Sequence, residues 1–242
     1  MSDWFHKFYF KVMRRVDFRD SVGRKKSWGM DERPTMHCQV ELEQDIQGHS
    51  LLDSMLIQKW FDDRYSASKH LLALYSMVTG LNAKTILEVG FGRSTFALAA
   101  AAYKNQGKMY SLDTRDFSYL LSDAEREVVD FIQGFSSKAW EHPHLNQEGL
   151  DFAFLDYFSN DNMTQDECYS EISSCYSLLK QNAILCIHDV IEKEYVVGSV
   201  MENFANENNA QVLYLPYNSG LGIIRRCESS PFGVIEDFWE KK

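Results

Sequence analysis

The segment Glu88-Val89-Gly90-Phe91-Gly92-Arg93-Ser94-Thr95 has the residue types and spacing to hold a ligand. Glycines two apart let a chain turn sharply and let a ligand approach the backbone closely. A helix beginning at Ser94 would present unpaired N–H groups, which suit a carboxylate or a phosphate. Such loops serve dinucleotides and other adenosine ligands alike. Glu88 tilts the choice, because an acid there suits a ligand with a positive group and would be unhelpful beside a pyrophosphate. Thr95 stands where a nicotinamide-type Gly-x-Gly-x-x-Gly would need a small residue. Asp113, about 20 residues further on, can accept from a ribose diol in either case and does not discriminate. A glycine-rich turn with no ligand is the plain structural alternative. The other reactive types are Asp156 and the pair His188-Asp189, far apart in sequence but each directly after an apolar run.

These residues need elements to bring them together. Thr85–Val89 reads as a short apolar strand, Ser94–Tyr103 as an alanine-rich helix, and Lys108–Leu112 as a second strand ending at Asp113. Residues 116–135 read either as a short helix to about Arg126 followed by a strand Val128–Ile132, or as one longer helix. Leu150–Leu155 is a strand ending at Asp156, and Gln165–Leu179 has helical periodicity. Ala183–Ile187 is a strand running straight into His188-Asp189, and Glu194–Asn206 is a helix. Gln211–Leu215 and Leu221–Arg225 form a terminal hairpin around Pro216-Tyr217-Asn218-Ser219-Gly220. Strands alternating with helices imply a mainly parallel sheet covered on both faces. In such sheets ligands bind beyond the carboxyl ends of the strands, where Glu88, Asp113, Asp156, His188 and Asp189 all fall.

Ahead of this core, Leu51–Trp60 and Ala67–Val78 read as helices. Tyr65, Ser66 and His70 either line the mouth of the site or pack a helix start on the sheet. Phe5, Phe8, Tyr9, Val12, Met13 and Val16 recur at helical spacing, with Lys7, Lys11, Arg14 and Arg15 largely on another face. This amphipathic helix either docks on its own domain or a dimer partner, or lies on an anionic membrane surface. Residues 19–48 read as loop-rich. The expected division is therefore an N-terminal arm and loop over 1–50 and a core domain over 51–242.

Composition narrows the classes. The chain has 242 residues and a formal net charge of -10. Residues 1–30 hold eight Lys or Arg against three Asp, so the acidity lies in the core. An acidic body lacks the footprint that phosphates need, so nucleic acid is not an expected partner. No apolar run approaches the roughly 18–20 residues that span a bilayer, and Met1-Ser2-Asp3-Trp4-Phe5-His6-Lys7 does not read as a secretory leader. Five cysteines, widely scattered and without a Cys-x-x-Cys pair, predict reduced thiols in a cytoplasmic protein rather than disulfides or a zinc site. Cys168 and Cys175 fall on one face of a helix. His142-Pro143-His144 reads as a solvated loop.

The matching segments are Ile86 to Thr95, Tyr110-Ser111-Leu112-Asp113, Asp151 to Tyr157, Tyr176 to Val190, and Gly220-Leu221-Gly222-Ile223-Ile224. In order and spacing, residues 83–226 resemble the class I S-adenosylmethionine (SAM)-dependent methyltransferases. The branch in view includes small O-methyltransferases and the cephalosporin-hydroxylase-like and macrocin-type enzymes. The resemblance implies a Rossmann-like, doubly wound, mostly parallel seven-stranded α/β sheet with an antiparallel C-terminal hairpin strand. It implies that Glu88, Gly90, Phe91, Gly92, Ser94 and Thr95 hold the methionine end of SAM, and that Asp113, with Thr114, holds the ribose. The adenine acid of a Gly-Asp-Ser type segment is absent from Gly134-Phe135-Ser136, which leaves Phe135 to stack and Ser136 to bond the ring edge. Some members of the branch hold magnesium on acids after the fourth and fifth strands. Here that makes Asp156 and Asp189, with His188, candidate metal ligands. His188 is alternatively a general base flanked by Asp156 and Asp189, or only the cap of its strand. Histidine is an unusual ligand for magnesium.

The expected activity is O-methylation of a small molecule or sugar, by a chain that is also a candidate homo-oligomer. A SAM-binding partner or sensor without transfer activity is the second reading. A nicotinamide-dependent oxidoreductase is disfavoured by Glu88 and by the terminal hairpin.

Overall fold

The computed structural model of the chain describes residues 66–158 and 163–227. The expectations for the basic arm, the loop over 19–48, the helix Leu51–Trp60, the boundary near residue 50 and Tyr65 lie outside the described residues. Seven strands form one sheet: β1 (Thr85–Val89), β2 (Lys108–Asp113), β3 (Val129–Gln133), β4 (Leu150–Leu155), β5 (Leu179–His188), β6 (Gln211–Leu215) and β7 (Leu221–Arg225). Their spatial order is β3-β2-β1-β4-β5-β7-β6. β1 to β5 pair in parallel, and β7 lies antiparallel to both β5 and β6. The sheet is the doubly wound arrangement expected, with the reversed strand in the C-terminal hairpin.

The chain runs outward from β1 on both sides, so the carboxyl end of β1 sits where strand order reverses. Every residue of β1 is buried, as a strand covered on both faces requires. Its side chains alternate between two cores. Leu87 and Val89 pack with Leu155, Leu185, Ile172 and Phe204 on one face. Ile86 packs with Met109, Phe152, Leu98 and Leu74 on the other. After a 3-10 turn at Ser66–His70, the helices are α1 (Leu71–Gly80), α2 (Arg93–Asn105), α3 (Asp123–Val128), α4 (Ser137–Trp140), α5 (Pro143–Glu148), α6 (Gln165–Leu178) and α7 (Val197–Glu207). The alanines of α2 let it pack closely on the sheet and on α1. Reciprocal caps start two of the helices, Ser122 with Glu125 at α3 and Thr164 with Glu167 at α6. Among the described residues no helix is long and apolar enough to cross a membrane.

Three local expectations change. Residues 116–135 hold a 3-10 turn (Ser118–Leu120), α3 and β3, which decides against one long helix. The loop around His142 and His144 is helical instead. Pro143 is the first residue of α5, where its missing N–H has no partner to lose, and both histidine rings tilt onto Tyr110 with centroids 5.2 and 5.7 Å away. β5 begins at Leu179 rather than Ala183, because Leu179 pairs with Leu150 ahead of an irregularity in the register. Its polar Lys180-Gln181-Asn182 hides that start from an apolar pattern.

Candidate active site

β1 delivers Glu88 to the base of the glycine turn. The carboxylate is wholly buried and accepts from three hydroxyls: Ser94 Oγ at 2.6 Å, Thr95 Oγ1 at 2.6 Å and Ser111 Oγ at 2.7 Å. Burial pushes the Glu88 carboxyl up to about 7, and the three hydroxyl donors only partly oppose it. The turn passes close over the end of β4. A Cβ on Gly90, at φ +103, would lie 2.3 Å from the Asp156 carbonyl oxygen, so only glycine fits. Gly92 differs, since a Cβ there would meet nothing nearer than Ser94 Oγ at 3.9 Å. The turn thus has one wall against the protein and one open side.

Asp113, half-buried at the end of β2, ties the turn to its neighbour. Its Oδ2 accepts from the Phe91 N–H at 3.1 Å and its Oδ1 from the Arg115 N–H at 2.9 Å. Its backbone carbonyl accepts from the Gly134 N–H at 2.8 Å, which brings the loop after β3 alongside. Phe135 on that loop is 76% exposed. Tyr157, next to Asp156, donates to Glu171 Oε2 at 2.6 Å, and the Trp140 indole donates to the same oxygen at 3.0 Å. That pairing fixes the strand end against α4 and α6.

Asp156, His188 and Asp189 meet at the ends of β4 and β5. His188 Nδ1 lies 3.0 Å from Asp156 Oδ1 and 3.2 Å from Asp189 Oδ1, and Nε2 lies 2.9 Å from the Asn218 carbonyl oxygen. Asp189 reaches back over His188 because its backbone is left-handed, at φ +64. All three partners are acceptors, so both ring nitrogens donate and the ring is an imidazolium. Burial works against that charge, but Asp156 and Asp189 outweigh it and raise the His188 pKa to about 10. Below it, the His70 ring meets His188 edge-on, with centroids 5.4 Å apart. His70 is fully buried with neither nitrogen hydrogen-bonded. Burial, with the charged His188 beside it, lowers its pKa to about 4, and the nearby Tyr217 and Asn218 carbonyls only partly offset this.

A family profile described as a methyltransferase domain matches residues 87–190, from β1 to just beyond His188-Asp189. Over those residues the chain is similar to the class I SAM-dependent methyltransferases. No curated protein sequence matches the chain. Solved structures share the fold of this domain at low identity. TomG of Streptomyces achromogenes, an O-methyltransferase involved in tomaymycin synthesis and solved with SAM, is 14% identical. The alignment covers 81% of this chain and 100% of TomG, at a TM-score of 0.54. An O-methyltransferase from Bacillus cereus, solved with S-adenosylhomocysteine (SAH), is 15% identical over 79% of this chain and 98% of its own, at 0.51. A methyltransferase from Geobacter sulfurreducens is 12% identical over 83% and 100%, at 0.54.

Within the site, several residues make contacts that the sequence alone does not show. Glu88 lies inside the protein, where Oε1 accepts from Ser94 and Oε2 from Thr95 and Ser111. Those hydroxyls are buried too, and they lock the turn to the start of α2. Phe91 packs on Phe117, Phe96 and Phe131 beneath the turn, and only its N–H reaches Asp113. Both ring nitrogens of His188 are engaged, Nδ1 by the two carboxylates and Nε2 by the Asn218 carbonyl. Asp156, His188 and Asp189 each offer one ligand atom, all within 4.8 Å of one another, and Nδ1 of His188 faces both carboxylates. Gly90, Gly92, Asp113, Thr114, Phe135, Ser136, Asp156 and Asp189 all stand at the carboxyl edge. Sequence reasoning missed Ser111, although a small polar residue inside an apolar strand, in register with Glu88, is a usable signal. It also missed that His70 and Asn218 both serve His188, which no spacing reveals.

Proposed function

We propose that the protein transfers a methyl group from SAM to a hydroxyl of a small molecule or sugar. The observation that carries this reading is the placement of the Asp156–His188–Asp189 group directly beside the glycine turn. A donor site and a proton-accepting site thereby share one edge of the sheet. The cofactors of the TomG and Bacillus cereus structures support the choice of SAM.

The residues present fit that cofactor. The open side of Gly92 and the first N–H groups of α2 suit the methionine carboxylate. Asp156, whose side chain is 23% exposed beside the turn, takes the ammonium in place of Glu88. Asp113 Oδ2, which accepts only from the Phe91 N–H, keeps a lone pair for a ribose hydroxyl, with Thr114 adjacent on Oδ1. Phe135 offers an exposed face to adenine and Ser136 an edge contact. Bound there, SAM supplies an electrophilic methyl group on its sulfonium.

Asp189 accepts the hydrogen bond of the acceptor hydroxyl and takes its proton as the C–O bond forms and the C–S bond breaks. His188 holds both carboxylates in place and does not itself exchange the proton. The left-handed backbone of Asp189 is the kind of strain kept where it serves a site. The test is turnover of labelled SAM over a panel of hydroxyl-bearing sugars and small molecules, beside calorimetry with SAH and with NAD. SAH binding with transfer to a hydroxyl is expected. NAD binding in its place overturns the reading, and SAH binding with no transfer leaves a SAM-binding partner or sensor.

A further inference from the structure

We infer that Glu171 is a positioning residue for the cofactor. Through one carboxylate oxygen it ties the loop that meets adenine to the strand end that meets the amino-acid end, and so fixes both halves of one ligand together. The inference rests on the SAM-binding reading above.

Glu171 stands where α6 should be apolar. Cys168, Ile172 and Cys175 are the buried residues of that helix. Glu171 is half-buried, three residues after Cys168 and four before Cys175, so it shares their face. A carboxylate there costs stability unless polar partners meet it, and a leucine would serve packing as well. Two partners meet it. Oε2 accepts from the Tyr157 hydroxyl at 2.6 Å and from the Trp140 indole N–H at 3.0 Å. Bonds to a carboxylate are stronger than those to a neutral oxygen and hold their donors in one direction.

The two donors come from the two segments that the cofactor spans. Trp140 ends α4, a single turn that starts from Ser136. The Ala139 and Trp140 N–H groups both bond the Ser136 carbonyl, at 2.8 and 3.2 Å. The Ser136 hydroxyl is not spent on capping that turn, and it lies beside the Tyr157 phenol. The other end of the loop is pinned by the Gly134 N–H on the Asp113 carbonyl at 2.8 Å. Phe135 and Ser136 are thus held from both sides. Tyr157 directly follows Asp156, and its ring stacks on Phe158 with centroids 4.5 Å apart. Its bond to Glu171 sets the path of the chain beyond Leu155, the last residue of β4 that pairs with β1 and β5, and so sets where Asp156 stands. A site holds its ligand in one geometry only when the residues behind the contacts are themselves locked. Glu171 touches no cofactor atom and acts through Ser136 and Asp156.

Calorimetry with SAH and steady-state kinetics in SAM, on the full chain, test this with three variants. Glu171→Leu keeps bulk and loses both bonds. Glu171→Gln keeps an oxygen that can accept both. Tyr157→Phe keeps the ring stack and loses one bond. Glu171→Leu is expected to weaken SAH about 10-fold or more, to raise KM for SAM in step, and to leave kcat at saturating SAM within a few-fold. Tyr157→Phe is expected to show the same split in smaller measure, and Glu171→Gln to stay close to wild type. A Glu171→Leu chain that melts lower yet binds SAH as wild type overturns the inference, because packing is then its whole role. An equal loss in Glu171→Gln overturns it too. Where Glu171→Leu does not fold, Tyr157→Phe decides, and wild-type SAH affinity there overturns the inference. A wild-type chain that binds no SAH removes the cofactor reading and the inference together, whereas SAH binding that all three variants share removes the inference alone.

Discussion

Single side chains at this site divide the work between holding and reacting. Glu88 holds: a buried carboxyl among three hydroxyls is a clamp for the turn, and its protonation follows from burial. In the folded chain it keeps its proton to about pH 7, whereas an unfolded Glu loses it near 4.5. Its contribution to stability is therefore complete below about 4.5 and lost as pH rises through 7. Glu88→Gln should flatten that part of the melting-temperature profile, measured by calorimetry from pH 4.5 to 8. Asp189 and Asp156 react and bind, respectively. Asp189→Asn should cut kcat by roughly 100-fold or more while leaving SAH affinity within a few-fold of wild type. Asp156→Asn should weaken SAH binding itself, so titration calorimetry on the two variants separates acceptor chemistry from donor binding.

The element that matters most is the turn from β1 into α2, and its two glycines are not equivalent. Gly90 is tied to the protein by the Asp156 carbonyl and by a positive φ. Gly90→Ala should destabilise by about 1–3 kcal/mol from backbone strain alone, with the steric contact adding to it. Gly92 has open space and an extended backbone at φ -164, which any residue adopts. Gly92→Ala should melt close to wild type and still lose SAH affinity, because the added methyl enters the ligand's room. A pair of melting curves and binding isotherms checks both. The thiols on neighbouring elements stay out of this chemistry. Burial holds Cys168, Cys175 and Cys186 well above the usual thiol range, so they behave as small apolar groups of the core.

Across the whole molecule, the two site histidines oppose one another with pH. His70 is held neutral with a pKa near 4, so its contribution to stability is present above about 6.5 and lost as pH falls through 4. His188 is held charged with a pKa near 10, so its contribution is present below about 6.5 and lost as pH rises through 10. The two contributions therefore fade in opposite directions from neutrality, and on the acid side Glu88 opposes that of His70. His70→Gln should flatten the acid limb and His188→Gln the alkaline one, read by thermal melts at fixed ionic strength. Either His70 or His188 titrating near 6.5 in the native chain would contradict this pairing.

Strand and helix order, and with it the sheet, was legible because apolar runs of strand length end in Gly90, Asp113, Asp156 and His188. Period and punctuation are local properties, so β1, β4, β6 and β7 could be bounded to the residue. The same logic placed every acid of the site at one edge. Direction was not legible. Whether Glu88 faces a ligand or three hydroxyls depends on Ser111, which only pairing of β1 with β2 brings opposite. Which nitrogen of His188 faces the two acids depends on the Asn218 carbonyl, 30 residues away on another turn, which holds Nε2. A residue's type sets which protons it can carry; its neighbours in space, fixed only when the chain folds, decide which one it keeps.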